Sequence, residues 1–179
     1  MISTKNKTEL RQYALRLRKS IAVSGDLKNK TSVILQKILN SDDFKRAKNI
    51  ALYFPIKNEI DLMRLLSCAD KKFYLPRCTN NELEFVECKD VGDLIIGEYN
   101  IPTPAGVKIE PEILDVIYIP ALMANKSKYR LGYGKGYYDR FFAKNKISAK
   151  KIIVVASELL SNDFVEDKLD IQCDEIISA

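Results

Sequence analysis

Apolar positions repeat along the first forty residues with a helical period, and afterwards gather into short runs separated by turn-forming residues. Leu10, Ala14, Leu17 and Ile21 recur at steps of four, three and four, which predicts a helix from about residues 3–6 to Ser20. A second helix is expected over Asp26–Leu39, with Leu27, Ile34, Leu35 and Ile38 inward and Asn40-Ser41 ending it. Ser41-Asp42-Asp43 can cap a short third helix through Ala47. Ile50-Ala51-Leu52-Tyr53-Phe54 then reads as a first buried strand closed by Pro55. A helix is predicted from Asn58-Glu59-Ile60-Asp61 to about Ala69, and strands at Lys72–Pro76 and Leu83–Glu87. Leu94–Pro104, with Gly97, Pro102 and Pro104, reads as an extended loop. Val116–Ile119 is a central strand ended at Pro120, followed by a glycine-rich stretch and a helix to about Lys146. Ile152–Ala156 is a further buried strand and Glu175–Ile177 a short last one. Strands that alternate with helices predict a three-layer α/β fold: a largely parallel central sheet with helices on both faces.

Ligands in such folds sit beyond the carboxyl ends of the strands. Phe54 to Glu59 and Ala121 to Tyr138 both leave strand ends, so both can line one cleft. A length of 179 residues with 46% hydrophobic content suits one domain covering 1–179, without a repeat or a linker. No apolar run has membrane-spanning length, and Met1-Ile2-Ser3-Thr4-Lys5 offers no secretory leader. The expectation is a cytoplasmic, reduced protein, a monomer without membrane partners.

Charge is unevenly spread. Residues 1–50 carry 12 basic and 4 acidic side chains, whereas 51–179 carry 17 and 20, within an overall net of +5. Such asymmetry can signal nucleic acid. The acidic remainder and the lack of any readout motif point instead to a small anion such as a nucleoside triphosphate. On the first helix Lys7, Arg11 and Arg18 fall within about 40° of one another at the edge of the apolar face. Two readings of that stripe stand at this point: a solvated basic face, or a set of cations turned into a cleft.

The chemistry concentrates in Arg130-Leu131-Gly132-Tyr133-Gly134-Lys135-Gly136-Tyr137-Tyr138-Asp139-Arg140. Three glycines at alternate positions expose backbone amides, and Arg130, Lys135 and Arg140 add charge, a combination suited to phosphate. Between Lys126 and Lys146 there are seven basic residues and one acid, Asp139, which suggests a magnesium partner because Mg²⁺ takes phosphate oxygens with one or two carboxylates. The spacing is neither a P-loop, since Gly136 follows Lys135, nor a dinucleotide fingerprint. The chain contains no His, which excludes Ser-His-Asp and Cys-His catalysis, imidazole bases and a protein-kinase catalytic loop. Cys68, Cys78, Cys88 and Cys173 form no Cys-x-x-Cys pair, so they are read as buried or half-buried thiols rather than zinc ligands. What remains is chemistry driven by position and electrostatics, as in phosphoryl transfer.

These residues resemble the 5-formyltetrahydrofolate cyclo-ligase family, also called methenyltetrahydrofolate synthetases, from Lys7 to Ile177. Besides the glycine-rich run, the resemblance is carried in order by Lys7-x-x-Leu10-Arg11, Tyr53-Phe54-Pro55 with Asn58-Glu59-Ile60, Pro76-Arg77, Ile101-Pro102-Thr103-Pro104 and Asp170-x-x-x-Asp174. Thr103 stands where the family often has Glu, Met123-Ala124-Asn125 where an aromatic-Asp pair is common, and Leu169 where His is frequent. None of these departures touches the loop, so they bear on substrate fit and packing.

The resemblance implies ATP-driven closure of the formyl group of 5-formyltetrahydrofolate onto N10, giving 5,10-methenyltetrahydrofolate, ADP and phosphate. A catalytically inert nucleotide- or folate-binding protein of the same fold is the alternative. By the same resemblance, Lys7 and Arg11 would contact ATP. Arg130 and Lys135 would hold the phosphates as catalytic residues, within an ATP-binding stretch of Arg130, Leu131, Gly132, Tyr133, Gly134, Lys135, Gly136, Tyr137 and Tyr138. Glu59 would accept hydrogen bonds from folate. Phe54, Tyr133 and Tyr137 would wall it, beside Gly134, Lys135 and Gly136. Asp139 and Asp174 would hold Mg²⁺.

Overall fold

The computed structural model describes residues 6–164 and 166–179. Asn6 caps the first helix, its Oδ1 accepting from the Thr8 amide, and α1 runs over Lys7–Val23. Gly25, at φ 84°, turns the chain into α2 (Asp26–Asn40), and Ser41 caps α3 (Asp42–Arg46) by accepting from the Phe44 amide at 3.2 Å. The strands are β1 (Asn49–Ala51), β2 (Lys72–Thr79), β3 (Glu82–Glu87), β4 (Leu94–Ile96), β5 (Pro102–Pro104), β6 (Val116–Pro120), β7 (Met123–Ala124) and β8 (Arg130–Leu131). Then come α4 (Tyr137–Lys144), β9 (Lys150–Val155) and β10 (Glu175–Ser178).

Six strands form one sheet in the order β10-β9-β6-β1-β2-β3, parallel except for β3, which pairs antiparallel with β2. Alternating side chains divide the core into two layers, as the pleat requires. Ala51, Ile117, Ile119, Ile153 and Val155 pack with Leu10, Ala14 and Ile21 of α1 and Phe141 of α4. Ile50, Leu52, Val116, Tyr118, Ile152 and Val154 pack with Ile34, Leu35 and Ile38 of α2 and Phe44 of α3. The three-layer arrangement expected from the sequence is therefore present, with α1 and α4 on one face and α2 and α3 on the other.

Three local expectations are corrected. No α-helix spans residues 58–69. Lys57 and Asn58 take φ of 47° and 61°, and Ile60 and Leu62 are buried on either side of exposed Asp61, a period-two pattern that leaves only a 3-10 turn at Met63–Ser67. Ladder pairing of the first strand stops at Ala51, although the Leu52 amide still donates to the Tyr74 carbonyl at 2.8 Å. The segment around Pro102 and Pro104 is a hairpin of β4 with β5, both prolines lying in a strand at the edge of a two-stranded sheet. A second small hairpin, β7 with β8, stands before the glycine-rich loop.

From β1 the chain moves to β2 on one side, and from β6 to β9 on the other. The connections after β1 and β6 thus diverge from neighbouring strands and open a crevice, the switch point at which α/β folds hold ligands. Among the described residues, no helix is long and apolar enough to cross a membrane. All four cysteines are free, with Cys88 and Cys173 buried and Cys68 and Cys78 half-buried.

Candidate active site

A cleft of about 550 Å³ opens at this switch point. Its walls are the connection after β1 (Phe54, Lys57 and Glu59), the β4–β5 hairpin tip (Glu98–Ile101), the stretch Arg130–Asp139, and Lys7 and Arg11 of α1. Helix periodicity places Lys7 and Arg11 one turn apart on the edge of the buried face, so both reach over the sheet end. The basic stripe of α1 therefore faces the cleft and the core rather than solvent.

The loop is held by its own cations. Arg11 Nε donates to the Gly132 carbonyl at 2.9 Å. Gly134 sits at φ +93°, and a Cβ there would stand 3.2 Å from the Arg11 guanidinium carbon. Gly136, at φ +66°, is the residue that opens α4, with no side-chain cap. The uncapped first-turn amides of α4 therefore lie at the cleft beside Lys135, a setting that favours an anion. Lys135 carries no ion pair among the described residues; its Nζ lies 5.6 Å from the Tyr99 ring centroid. Tyr99, at φ 60°, also meets the Tyr137 hydroxyl at 2.8 Å, so the hairpin tip closes over the start of α4.

Arg130 is buried and pairs with Asp139 Oδ1 at 3.1 Å, while its guanidinium lies 5.4 Å from the Tyr138 ring centroid. Asp139 Oδ1 also accepts from the Ile171 amide at 3.2 Å. Lys7 Nζ bridges Asp167 at 2.6 Å and Asp170 at 2.8 Å, and both carboxylates line the cleft. Burial alone would raise the Asp170 carboxyl, but the hydrogen bonds from Lys7 and the Asp167 amide outweigh it and hold it below the usual range.

At the other end of the cleft Glu59 is buried. Its Oε1 accepts from the Tyr133 hydroxyl at 3.1 Å and from Arg18 Nη1 at 3.4 Å; its Oε2 accepts from the Ile56 amide at 3.1 Å. Burial pushes the Glu59 carboxyl up, against the opposing Arg18 charge and these hydrogen bonds. Half-buried Phe54 stands beside it, and the buried Tyr138 hydroxyl has no hydrogen-bond partner among the described residues. Leu131 is buried beneath the loop.

Most residues singled out in the sequence thus gather in one place, but Asp174 does not. It sits just before β10, where its Oδ2 accepts from the Lys151 amide at 2.7 Å and pairs with Lys151 Nζ at 3.0 Å, outside the cleft lining. Asp139 and Asp174 do not face one another as a ligand pair, and no group of three or more His, Cys, Asp or Glu is assembled among the described residues. Asp170, the other acid of the same motif, is the one turned to the cleft. Tyr99 and Asp167 also line it without having been anticipated, while Lys57 lies in the stretch expected to do so. Of the three departures, buried Thr103 lines the cleft and donates to the Pro76 carbonyl. Asn125 closes the β7–β8 turn by accepting from the Tyr129 amide at 2.9 Å. Leu169 is 82% exposed.

A largely parallel sheet with a cationic glycine loop and a buried carboxylate at its switch point defines the class: an α/β protein whose cleft has the chemistry to take an anion at one end. The family model described as the 5-formyltetrahydrofolate cyclo-ligase family matches residues 3–178, and the chain belongs to that family. The 5-formyltetrahydrofolate cyclo-ligase of Mycoplasma pneumoniae is 35% identical over 73% of this chain and 73% of its own, and that of Mycoplasma genitalium 31% identical over 73% and 72%. Among solved structures, the 5,10-methenyltetrahydrofolate synthetase of Mycoplasma pneumoniae superposes with a TM-score of 0.79 at 28% identity, covering 97% of this chain and 98% of that one. The synthetase of Aquifex aeolicus superposes with a TM-score of 0.83 at 29% identity over 96% and 89%.

Proposed function

We propose that this enzyme is a 5-formyltetrahydrofolate cyclo-ligase that uses ATP to form 5,10-methenyltetrahydrofolate, with ADP and phosphate released. The observation that carries the reading is the junction of two unlike walls in one cleft. Lys7, Arg11, Arg130, Lys135 and the first turn of α4 surround one end; Glu59, Phe54 and Tyr133 form the other.

A formyl amide is a poor electrophile, and its oxygen leaves badly. Its oxygen attacks the γ-phosphorus and the bond to the ADP oxygen breaks, leaving a cationic imidate phosphate. N10 then attacks the activated carbon and loses its proton, and phosphate departs with the former formyl oxygen. No protein nucleophile is consumed. The residues hold the triphosphate, turn the formyl oxygen in line with it and keep charge neutral as it moves. Lys135, free of carboxylate partners, serves the transferring group, and Arg130 the neighbouring phosphate. Gly132, Gly134 and Gly136 let the backbone approach it. Glu59 accepts from the N–H donors of the pterin, with Phe54, Tyr133 and Tyr137 against its ring.

The donor set at the cleft suits a magnesium ion carried by the triphosphate: Asp139 and Asp170 line the same space and would supply hard oxygen ligands as Arg130 and Lys7 turn to phosphate, while Asp174 lies outside that lining. Asp139 and Asp170 would hold it there, where its charge would offset that of the phosphate oxygens.

The test is to mix the protein with 5-formyltetrahydrofolate and MgATP and follow the near-ultraviolet absorbance of the methenyl product together with ADP. Product formed in proportion to ADP supports the assignment. Tight binding of both ligands without either product would leave an inert binding protein of this fold.

A further inference from the structure

Arg18 lies three turns along α1 from Lys7 and is buried to the same degree as the core, its side chain 5% exposed. A cation so placed must be fully partnered. Its Nη1 donates to the Tyr133 hydroxyl at 3.0 Å and to Glu59 Oε1 at 3.4 Å, and its Nη2 to the Ala121 carbonyl. One guanidinium therefore ties together the connection after β1, the end of β6 and the glycine-rich loop. Three donors converge on the Glu59 carboxyl, an arrangement that favours its ionised form. Tyr133 accepts from Arg18 and donates to Oε1, which leaves Oε1 with two donors and Oε2 with the Ile56 amide. A carboxylate offers about four acceptor positions, so Oε2 keeps one for the cleft that Glu59 lines.

We propose that Arg18 is a positioning residue for folate recognition: it keeps Glu59 an ionised acceptor and locks it to Tyr133, without touching the substrate itself. The inference rests on Glu59 being the folate-facing carboxylate. Burial opposes ionisation of Glu59, and among the opposing influences Arg18 ranks first. Without Arg18, Glu59 would carry a proton where the pterin needs a lone pair, and Tyr133 would lose the neighbour that orients it. The groups facing Glu59 are Arg18 from α1, Tyr133 from the loop, Tyr138 from α4 and Tyr53 from its own connection. Burial raises all three phenols, so none of them titrates near neutrality. Stability cannot discriminate this role from packing, because buried ion pairs are often replaceable by apolar side chains at little cost. A pH profile can.

The experiment is calorimetric titration of 5-formyltetrahydrofolate alone, without nucleotide, from about pH 5.5 to about pH 8.5, above the ordinary carboxyl range. Arg18→Gln is expected to bind at least about tenfold more weakly at neutral pH and to recover as pH rises, since loss of one charged hydrogen-bond partner is of that order. Arg18→Lys keeps the charge but cannot span three partners, so its profile keeps the wild-type shape with affinity at least about threefold lower. Glu59→Gln is expected to be weak at every pH. A folded Arg18→Gln protein with wild-type affinity, or with a uniform loss and an unshifted profile, overturns the proposal. If that variant does not fold, Arg18→Lys decides: wild-type affinity overturns it. Wild-type affinity in Glu59→Gln would instead remove the folate role of Glu59.

Discussion

Arg11 and Gly134 fit against each other so closely that the loop glycine is required by the first helix and not only by a ligand. The guanidinium carbon lies 3.2 Å from the position of a Gly134 Cβ, and φ there is +93°. Gly134→Ala therefore combines backbone strain of about 1–3 kcal/mol with displacement of Arg11. A lower melting temperature and a raised KM for ATP are expected. An unchanged melting temperature would show that the loop relaxes at no cost.

Lys135, like Arg11 and Lys57, has no carboxylate partner among the described residues, and of the three it is the one set in the loop beside the first turn of α4. Removing a charge that acts mainly in the transition state costs roughly 3–4 kcal/mol. Lys135→Ala is expected to lower kcat by about two to three orders of magnitude while ATP affinity changes far less. A raised KM with intact kcat would make Lys135 a uniform binder.

Lys7 and Arg11 set the opposite pattern. Lys7→Ala and Arg11→Ala should weaken ATP binding and leave folate affinity alone, since both side chains lie at the phosphate end. Substitution is the appropriate test: deleting the first twelve residues would also remove Leu10, which is 1% exposed in the core. Separate calorimetric titrations of the two ligands provide the check, and a folded double variant with normal ATP affinity would return these cations to a structural role.

The two acids of the Asp170-x-x-x-Asp174 motif should separate in a metal titration. Asp139→Asn and Asp170→Asn are expected to raise the magnesium concentration needed for half-maximal turnover by at least about tenfold, because Mg²⁺ relies on few protein carboxylates. Asp174→Asn should leave it within about twofold. Equal effects at Asp170 and Asp174 would contradict the placement of the ion at the cleft.

Away from the cleft, Lys30 on α2 pairs with Glu158 at 2.8 Å and with Asp26 at 3.4 Å. The hydrogen bond to Glu158 is the largest influence raising Lys30, and the same bond the largest lowering Glu158. A depressed Glu158 contributes stability that is present above 4.5 and lost as pH falls through its folded value; a raised Lys30 contributes stability present below 10.5 and lost as pH rises through its own. The melting-temperature difference between wild type and Lys30→Met should therefore be level around neutrality and shrink at both extremes. A difference independent of pH would mean that packing, not charge, holds Lys30.

What was legible in the sequence follows from what each signal measures. Periodicity found α1, α2 and the buried strands because one-sided burial imprints directly on spacing. The glycine loop was legible because Gly134 and Gly136 meet backbone demands that local sequence states. Residues 58–69 were misread as helix because Asn58-Glu59-Ile60-Asp61 has helix-start chemistry, whereas the buried Tyr53 hydroxyl binds the Ile60 carbonyl at 2.8 Å and the chain stays extended. Arg18 could not be placed: a cation beside an apolar face looks solvated until a carbonyl, a phenol and a carboxylate converge on it. The choice between Asp170 and Asp174 was equally hidden, since only the start of β10 turns one toward Lys151 and the other toward Lys7.

The bond from Lys7 to Asp170 joins residues 163 positions apart. On the ribosome this means that Lys7 is among the first residues made and Asp170 among the last, after both Glu59 and the glycine loop. Contacts of such sequence separation form late and slowly. The Lys7 end of the cleft is therefore complete only once the segment carrying Asp167 and Asp170 has been made and has reached back to the start of α1.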